Sequence, residues 1–356
     1  MRFFLVLFFI TVHLSASSSL ESLPKPIFNI KVPQTLPEKF NEHHLRKLSP
    51  SSLRHTASQH AQSGKLQSAL QFQYWACNID ETQGLYDLAC YYALNKDIDS
   101  SVYFLQKAAL NEGVDYSWAL KDKDLIPVMN SKYWEKLRPW LKKCFSSWHE
   151  SKYFRSPIIK PSTGESEVLL IGLHGYGSVP EDFASDEDQG FADKHKVTFM
   201  GISGSVPLGR NSFMWSEDID KDSQHIFQIL KQSNIDLKKE KRPVILIGFS
   251  QGAQLSTELL ARYPHLFKGI ITLCPGARYD SQLPKVKESV DLSKKKAVII
   301  CGSNEHKGNL ELSKSNFTWL TKHKAIVRYS KIKGLGHSFP PNFYDKLNDY
   351  LIFILK

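Results

Sequence analysis

The sequence predicts an α/β domain, a mostly parallel sheet with helices on both faces, preceded by a small all-helical region. Three observations predict it. In the C-terminal half, short apolar runs alternate with amphipathic helical stretches, as a parallel sheet covered on both faces requires. One such run, Val244 to Phe249, feeds Gly248-Phe249-Ser250-Gln251-Gly252 and then a helical stretch. In the N-terminal half, Leu53 to Leu110 repeats its own pattern at helical spacing.

In chain order, Arg2 is followed by a short apolar run, Phe3 to Leu14, and then by Ser15, Ala16 and Ser17. A basic start, a brief apolar core and small residues near a cut site read as a secretory signal peptide over residues 1–17. The run is too short to span a bilayer, which takes about 20 apolar residues. A secreted or extracytoplasmic protein without an integral membrane span is therefore expected. Residues 18–50 are rich in Ser, Pro and charge and read as a linker.

Residues 51–147 read as a helical domain. Leu53, Ala57, Ala61, Ser68, Phe72 and Ala76 recur as Leu85, Ala89, Ala93, Ser100, Phe104 and Ala108. Small residues four apart let paired helices approach closely. The period is near that of helix–turn–helix repeats, and the pattern resembles tetratricopeptide-like repeats over about two units. Trp118 to Phe145 could close the stack. Such a surface could dock a protein or peptide partner, or serve as a platform that packs on the following domain and shapes its cleft.

Residues 148–356 carry the alternation. Strands are expected at Val168–Leu173, Val197–Ile202, Val244–Phe249, Gly269–Leu273, Ala297–Cys301 and Ala325–Ser330. Helices are expected at Asp220–Gln232, Gln254–Tyr263, Leu310–His323 and Phe343–Leu355.

The chemistry gathers where these strands end. A sharp strand-to-helix turn would lift the Ser250 hydroxyl above the sheet, with Gly248 and Gly252 lacking the Cβ atoms that would collide there. A serine nucleophile needs a base, then an acid that orients it, and in this topology the chain order is serine, acid, histidine. His337, in Gly334-Leu335-Gly336-His337, follows the last strand. Glu305 directly follows Ala297–Cys301, where a carboxylate can orient the imidazole. Glu311, Asp291 and Asp280 read as surface charges, and His306 as a loop residue. Oxyanion donors are expected from the amides of Gln251, after the nucleophile, and Tyr176, in the loop His174-Gly175-Tyr176-Gly177. His174 reads as a structural residue holding that loop.

These residues carry a resemblance. Glu167 to Phe339 looks like the α/β-hydrolase superfamily. His174-Gly175-Tyr176-Gly177 with Gly248-Phe249-Ser250-Gln251-Gly252-Ala253 is similar to the phospholipase/carboxylesterase family, which includes acyl-protein thioesterases. The resemblance implies ester or thioester hydrolysis through an acyl-enzyme on Ser250, without metal or cofactor. It implies substrate contacts near Gly175 and in Ser205 to Glu217, with Trp215 the candidate there. The chain departs from the family in offering Glu305 where Asp is usual, and in a loose match over Ser205 to Glu217.

Composition adds bounds. A chain of 356 residues, 42% hydrophobic, can bury two cores. The net charge is +10, but its clusters, Lys238–Arg242 and Lys294–Lys296, fall in polar connectors with no nucleic-acid motif beside them. Five cysteines, an odd count, form no evident disulfide framework, although Cys77 and Cys90 could pair. Cys274 and Cys301 read as core residues. The sequon Asn316-Phe317-Thr318 lies within an expected helix and is discounted. The leading expectation is a serine esterase acting on a small, lipid-linked or sugar-linked acyl ester. The alternatives are a thioesterase or serine peptidase on the same three residues, or a non-catalytic binding protein that works through its helices.

Overall fold

A computed structural model describes residues 23–31, 48–80, 84–278, 281–286 and 289–356. The expected signal peptide lies outside the described residues.

Among the described residues, the five longer helices of the N-terminal part are α1 (Pro50–Gln62), α2 (Leu66–Ile79), α3 (Leu85–Leu94), α4 (Ile98–Asn111) and α5 (Trp134–Glu150). Their ends follow side-chain chemistry. Ser49 caps α1 by accepting from the Ser52 amide, and Asp97 caps α4 by accepting from the Ser100 amide. Ala57, Ala89, Ala93 and Ala108 are fully buried, so the small residues sit where helices touch. Residues 23–31, expected to be linker, pack here instead. Gln106 holds the Phe28 backbone on both sides, and Phe28 and Ile30 rest on the helical core. Two apolar residues in a polar stretch suffice for this, and composition averages them away.

The C-terminal part is a seven-stranded sheet in the order β1-β3-β2-β6-β7-β8-β9. The strands are β1 (Ile158–Lys160), β2 (Val168–Leu173), β3 (Val197–Ile202), β6 (Val244–Phe249), β7 (Gly269–Leu273), β8 (Lys296–Gly302) and β9 (Ile326–Ile332). All pairings are parallel except β1 with β3. The six expected strands are all present; β8 and β9 run slightly longer. Strands covered on both faces read as unbroken apolar runs. In β2, Leu169, Ile171 and Leu173 face one core with α7 (Ile219–Gln232), α8 (Gln251–Arg262) and α9 (Lys307–Lys322). Val168 and Leu170 face the other, with α6 (Gln189–His195) and α10 (Phe343–Leu355).

A two-stranded hairpin, β4 (Val206–Gly209) and β5 (Ser212–Met214), lies outside the main sheet. Its strands are too short for a period to show in the sequence. A buried ion cluster roots the segment. Arg278 pairs with Asp222 of α7 and Glu258 of α8, all three side chains fully buried. Its guanidinium also donates to the Ser216 carbonyl, while Asp222 accepts from the Ser216 amide. Removing the cation would leave two buried carboxylates unpaired. Arg278→Met is therefore expected to cost about 3–5 kcal/mol of stability, read as a lower urea midpoint at unchanged slope.

Candidate active site

The site begins with backbone geometry. Ser250 stands between β6 and α8 with φ 54° and ψ −118°, a conformation that non-glycine residues seldom adopt. Neighbouring backbone crowds the turn. A Cβ on Gly252 would fall 1.9 Å from the Leu173 carbonyl oxygen, and one on Gly276 would fall 2.5 Å from Ser250 Oγ. Gly276 carries no local signal in the sequence, since only the folded chain brings it against Ser250. The Ser250 amide donates to the Leu273 carbonyl and its carbonyl accepts from the Gly276 amide. The turn is thus tied to the end of β7.

His337 Nε2 lies 2.8 Å from Ser250 Oγ, and His337 Nδ1 lies 2.7 Å from Glu305 Oε2. The second Glu305 oxygen accepts from the His306 amide at 2.9 Å and Asn309 Nδ2 at 3.1 Å. Burial pushes the Glu305 carboxyl up. Hydrogen bonds from His337, Asn309 and His306 outweigh it and hold the group below its usual range. An ionised Glu305 can only accept, so Nδ1 carries the imidazole proton and Nε2 is free to accept from the serine hydroxyl. The three residues expected to act together therefore meet in hydrogen-bonded order.

The loops that bear them are latched to one another. The Asn304 amide donates to the Leu335 carbonyl, the Gly334 amide to Ser303 Oγ, and the Ser303 amide to the Ile332 carbonyl. Asn309 joins because α9 starts at Lys307, one turn before the helix expected from Leu310. That start puts Asn309 four residues beyond Glu305 on the first turn. Cys274, expected as a core residue, is fully buried and follows the end of β7 with φ 46°. Its Sγ approaches the Ser338 carbonyl at 3.5 Å, beneath the His337 loop. Burial, and then Glu305, push its thiol up to about 12. Cys274, Glu305 and His337 present ligand-type atoms all within 4.8 Å of one another. Within this group the imidazole is already engaged on both sides, Nδ1 by Glu305 and Nε2 by Ser250.

The rival acids stand apart. Glu311 pairs with Lys307 and Asp291 accepts from the Ser293 amide, while Asp280 lies outside the described residues. None of the five buried cysteines forms a disulfide, so Cys77 and Cys90 are not bonded to each other. Asn316 of the sequon is fully buried and donates to Gln254 Oε1.

The loop after β2 lies on the other side of Ser250. Its histidine, His174, is fully buried and bridges two backbones: Nδ1 reaches the Gly175 carbonyl at 2.6 Å and Nε2 accepts from the Gly204 amide at 2.9 Å. Burial lowers its pKa to about 4, so it stays neutral and structural. Gly175 packs beside Ser250: a Cβ there would stand 3.3 Å from Ser250 Cβ. Gln251 opens α8, so its amide lacks an intrahelical acceptor. Trp215, expected to contact substrate, is fully buried and donates from Nε1 to the His174 carbonyl. It holds the loop from beneath, because an indole on a short strand end can bury its ring and satisfy its N–H at once. A cleft of about 470 Å³ opens beside Ser250, lined by Gly175, Tyr176, Ser178, Phe249, Phe339 and Tyr344 with Asp182.

The sequence profile of the Phospholipase/Carboxylesterase family matches residues 155–355, more than half the chain. The chain belongs to the phospholipase/carboxylesterase family. Among solved structures it is similar to a carboxylesterase from Bacillus cereus, at 18% identity over 56% of this chain and 93% of that one, with a TM-score of 0.45. It is similar to acyl-protein thioesterase 2 from Zea mays, at 15% identity over 57% and 100%, with a TM-score of 0.44. An uncharacterized protein from Bacillus cereus ATCC 10987 is similar over 87% of this chain and 100% of that one, at 14% identity and a TM-score of 0.45. No curated protein sequence matches the chain. For this phospholipase/carboxylesterase-family domain, space around Ser250 is the sharpest constraint. Gly276→Ala is expected to slow the reaction of Ser250 with a fluorophosphonate about 100-fold by displacing Oγ, in protein still folded by circular dichroism.

Proposed function

We propose that the protein is a serine esterase that cleaves a carboxylic ester through an acyl-enzyme on Ser250. The observation that carries this reading is the continuous chain Ser250 Oγ to His337 Nε2, and His337 Nδ1 to Glu305 Oε2, at 2.8 and 2.7 Å. Ser250 Oγ attacks the ester carbonyl carbon as its proton passes to His337 Nε2. The carbonyl electrons move to oxygen, where the Tyr176 and Gln251 amides are the proposed donors. The carbon–oxygen bond to the alcohol then breaks, and His337 returns the proton to the departing oxygen. Water repeats the sequence in reverse roles and frees the acid. Ionised Glu305 keeps the imidazole proton on Nδ1 and stabilises the imidazolium. The aromatic walls of the neighbouring cleft, Phe249, Phe339 and Tyr344, suit an apolar acyl group over a charged one. A secreted location and a two-unit repeat in the helical region are part of the same proposal, the first resting on residues 2–17 and the second on the recurring Leu and Ala positions.

Fluorophosphonate labelling of the chain beginning at Ser18, beside Ser250→Ala, tests the reading. Stoichiometric labelling of Ser250 alone supports it, and a panel of oxygen and thio esters then separates esterase from thioesterase. Folded protein that does not label overturns it. Glu305→Gln is expected to lower kcat by about 10³–10⁴ while preserving the fold, as loss of the orienting carboxylate removes the correct tautomer. The same variant has a signature in stability. The folded Glu305 carboxyl is held below its ordinary value of 4.5, so it contributes stability above that pH and loses it as pH falls through the lowered value. The stability difference between wild type and Glu305→Gln is expected to be constant at neutral pH and to shrink in acid, as urea titrations at several pH values would show.

A further inference from the structure

The helical region meets the family domain at the loop that flanks Ser250. Asp115, four residues beyond α4, accepts from the Tyr176 hydroxyl at 2.5 Å. The same carboxylate accepts from the Trp118 amide at 3.0 Å and the Ser117 hydroxyl at 2.7 Å. Its neighbour Val114 is buried in the helical core. Asp115 is therefore anchored by its own region and reaches across with its second oxygen. Beside it the two backbones touch. A Cβ on Gly113 would fall 1.7 Å from the Leu208 carbonyl oxygen, and one on Gly209 would fall 1.6 Å from the Glu112 carbonyl oxygen. The Arg210 amide donates to the Asn111 carbonyl. The hairpin thus docks on the end of α4 through main chain, which only glycine at both positions permits.

The same hairpin is paired to the Tyr176 loop. The Gly177 amide donates to the Phe213 carbonyl at 2.8 Å, and the Phe213 amide to the Ser178 carbonyl at 3.1 Å. Trp148, fully buried at the end of α5, donates to the Ala109 carbonyl and packs edge-on against Tyr153, which stacks on Phe213. Three routes run from the helices toward the segment between Gly175 and Ser178: the Asp115 carboxylate directly, and the hairpin's main chain and the stacked rings by way of Phe213.

We infer that the helical region positions the reaction's oxyanion loop, with Asp115 the positioning residue that holds Tyr176 in place. The inference rests on the serine esterase reading above. A platform that merely packed on the domain would need only apolar area. Here an anchored carboxylate grips the residue whose amide is the proposed oxyanion donor, so a shift of the helices moves that amide relative to the carbonyl oxygen. An oxyanion donor acts on the transition state more than on bound substrate. The effect therefore falls on kcat.

The test uses the full chain with Asp115→Ala, Asp115→Asn, Tyr176→Phe and the double variant Asp115→Ala/Tyr176→Phe, assayed on a chromogenic ester beside fluorophosphonate labelling and thermal unfolding. Asp115→Ala and Tyr176→Phe are each expected to lower kcat on the order of tenfold with little change in KM. The double variant is expected to fall no further than either single one, because both remove the same contact. Asp115→Asn keeps an acceptor oxygen and is expected to recover most of the loss. Tyr176→Phe alters an exposed hydroxyl, so it reports even where an Asp115 variant folds poorly. Single variants with wild-type kcat, or losses that multiply in the double variant, overturn the inference while intact labelling leaves the esterase reading standing. Failure of the wild type itself to label at Ser250 overturns that reading and this inference with it.

Discussion

The geometry depends on one strained residue. Ser250 can hold a positive φ only because the surroundings over-determine it: Gly252 packs on the Leu173 carbonyl, Gly276 packs on the serine itself, and main-chain bonds to Leu273 and Gly276 fix both sides. Each partner ends a different strand or loop. The strain is thus borne jointly by β2, β6 and β7, and the sheet must be complete before the hydroxyl is in place.

The sheet order explains why the rest of the site assembles there. Chain leaving β2 turns toward β3, while chain leaving β6 turns toward β7, so a crevice opens at the carboxyl ends of β2 and β6. Ser250 stands in that crevice. Glu305 and His337 arrive from β8 and β9, which are neighbours, and their loops hydrogen-bond to each other before either meets the serine. Positioning is therefore shared between two loops as one unit, with Asn309 and the Cys274 thiol beneath it.

Membership of the phospholipase/carboxylesterase family accounts for residues 155–355. The helical region lies before that match, yet it is joined to it by main-chain contacts at Gly113 and Gly209 and by Asp115 on Tyr176. The hairpin between them is held on its far side by the buried Arg278 cluster through Ser216. Polar contacts of this kind specify one arrangement, since a shifted packing would leave buried groups unpaired.

Legible in the chain were the six parallel strands, four of the five α-helices described in the second half (α6 being the exception), and the residues Ser250, Glu305 and His337. These are local properties. Unbroken apolar runs make covered strands, glycines at fixed spacing make the elbow, and strand ends carry the polar residues. Tertiary structure alone decided the rest. Trp215 reads as a contact residue until burial places it under His174. Gly276, Asn309, Cys274 and Asp115 carry no local signal, because each matters only for what a distant segment brings against it. The hairpin at Val206–Met214 and the packed residues 23–31 are too short to show a period, and they form because a partner surface is already there to receive them.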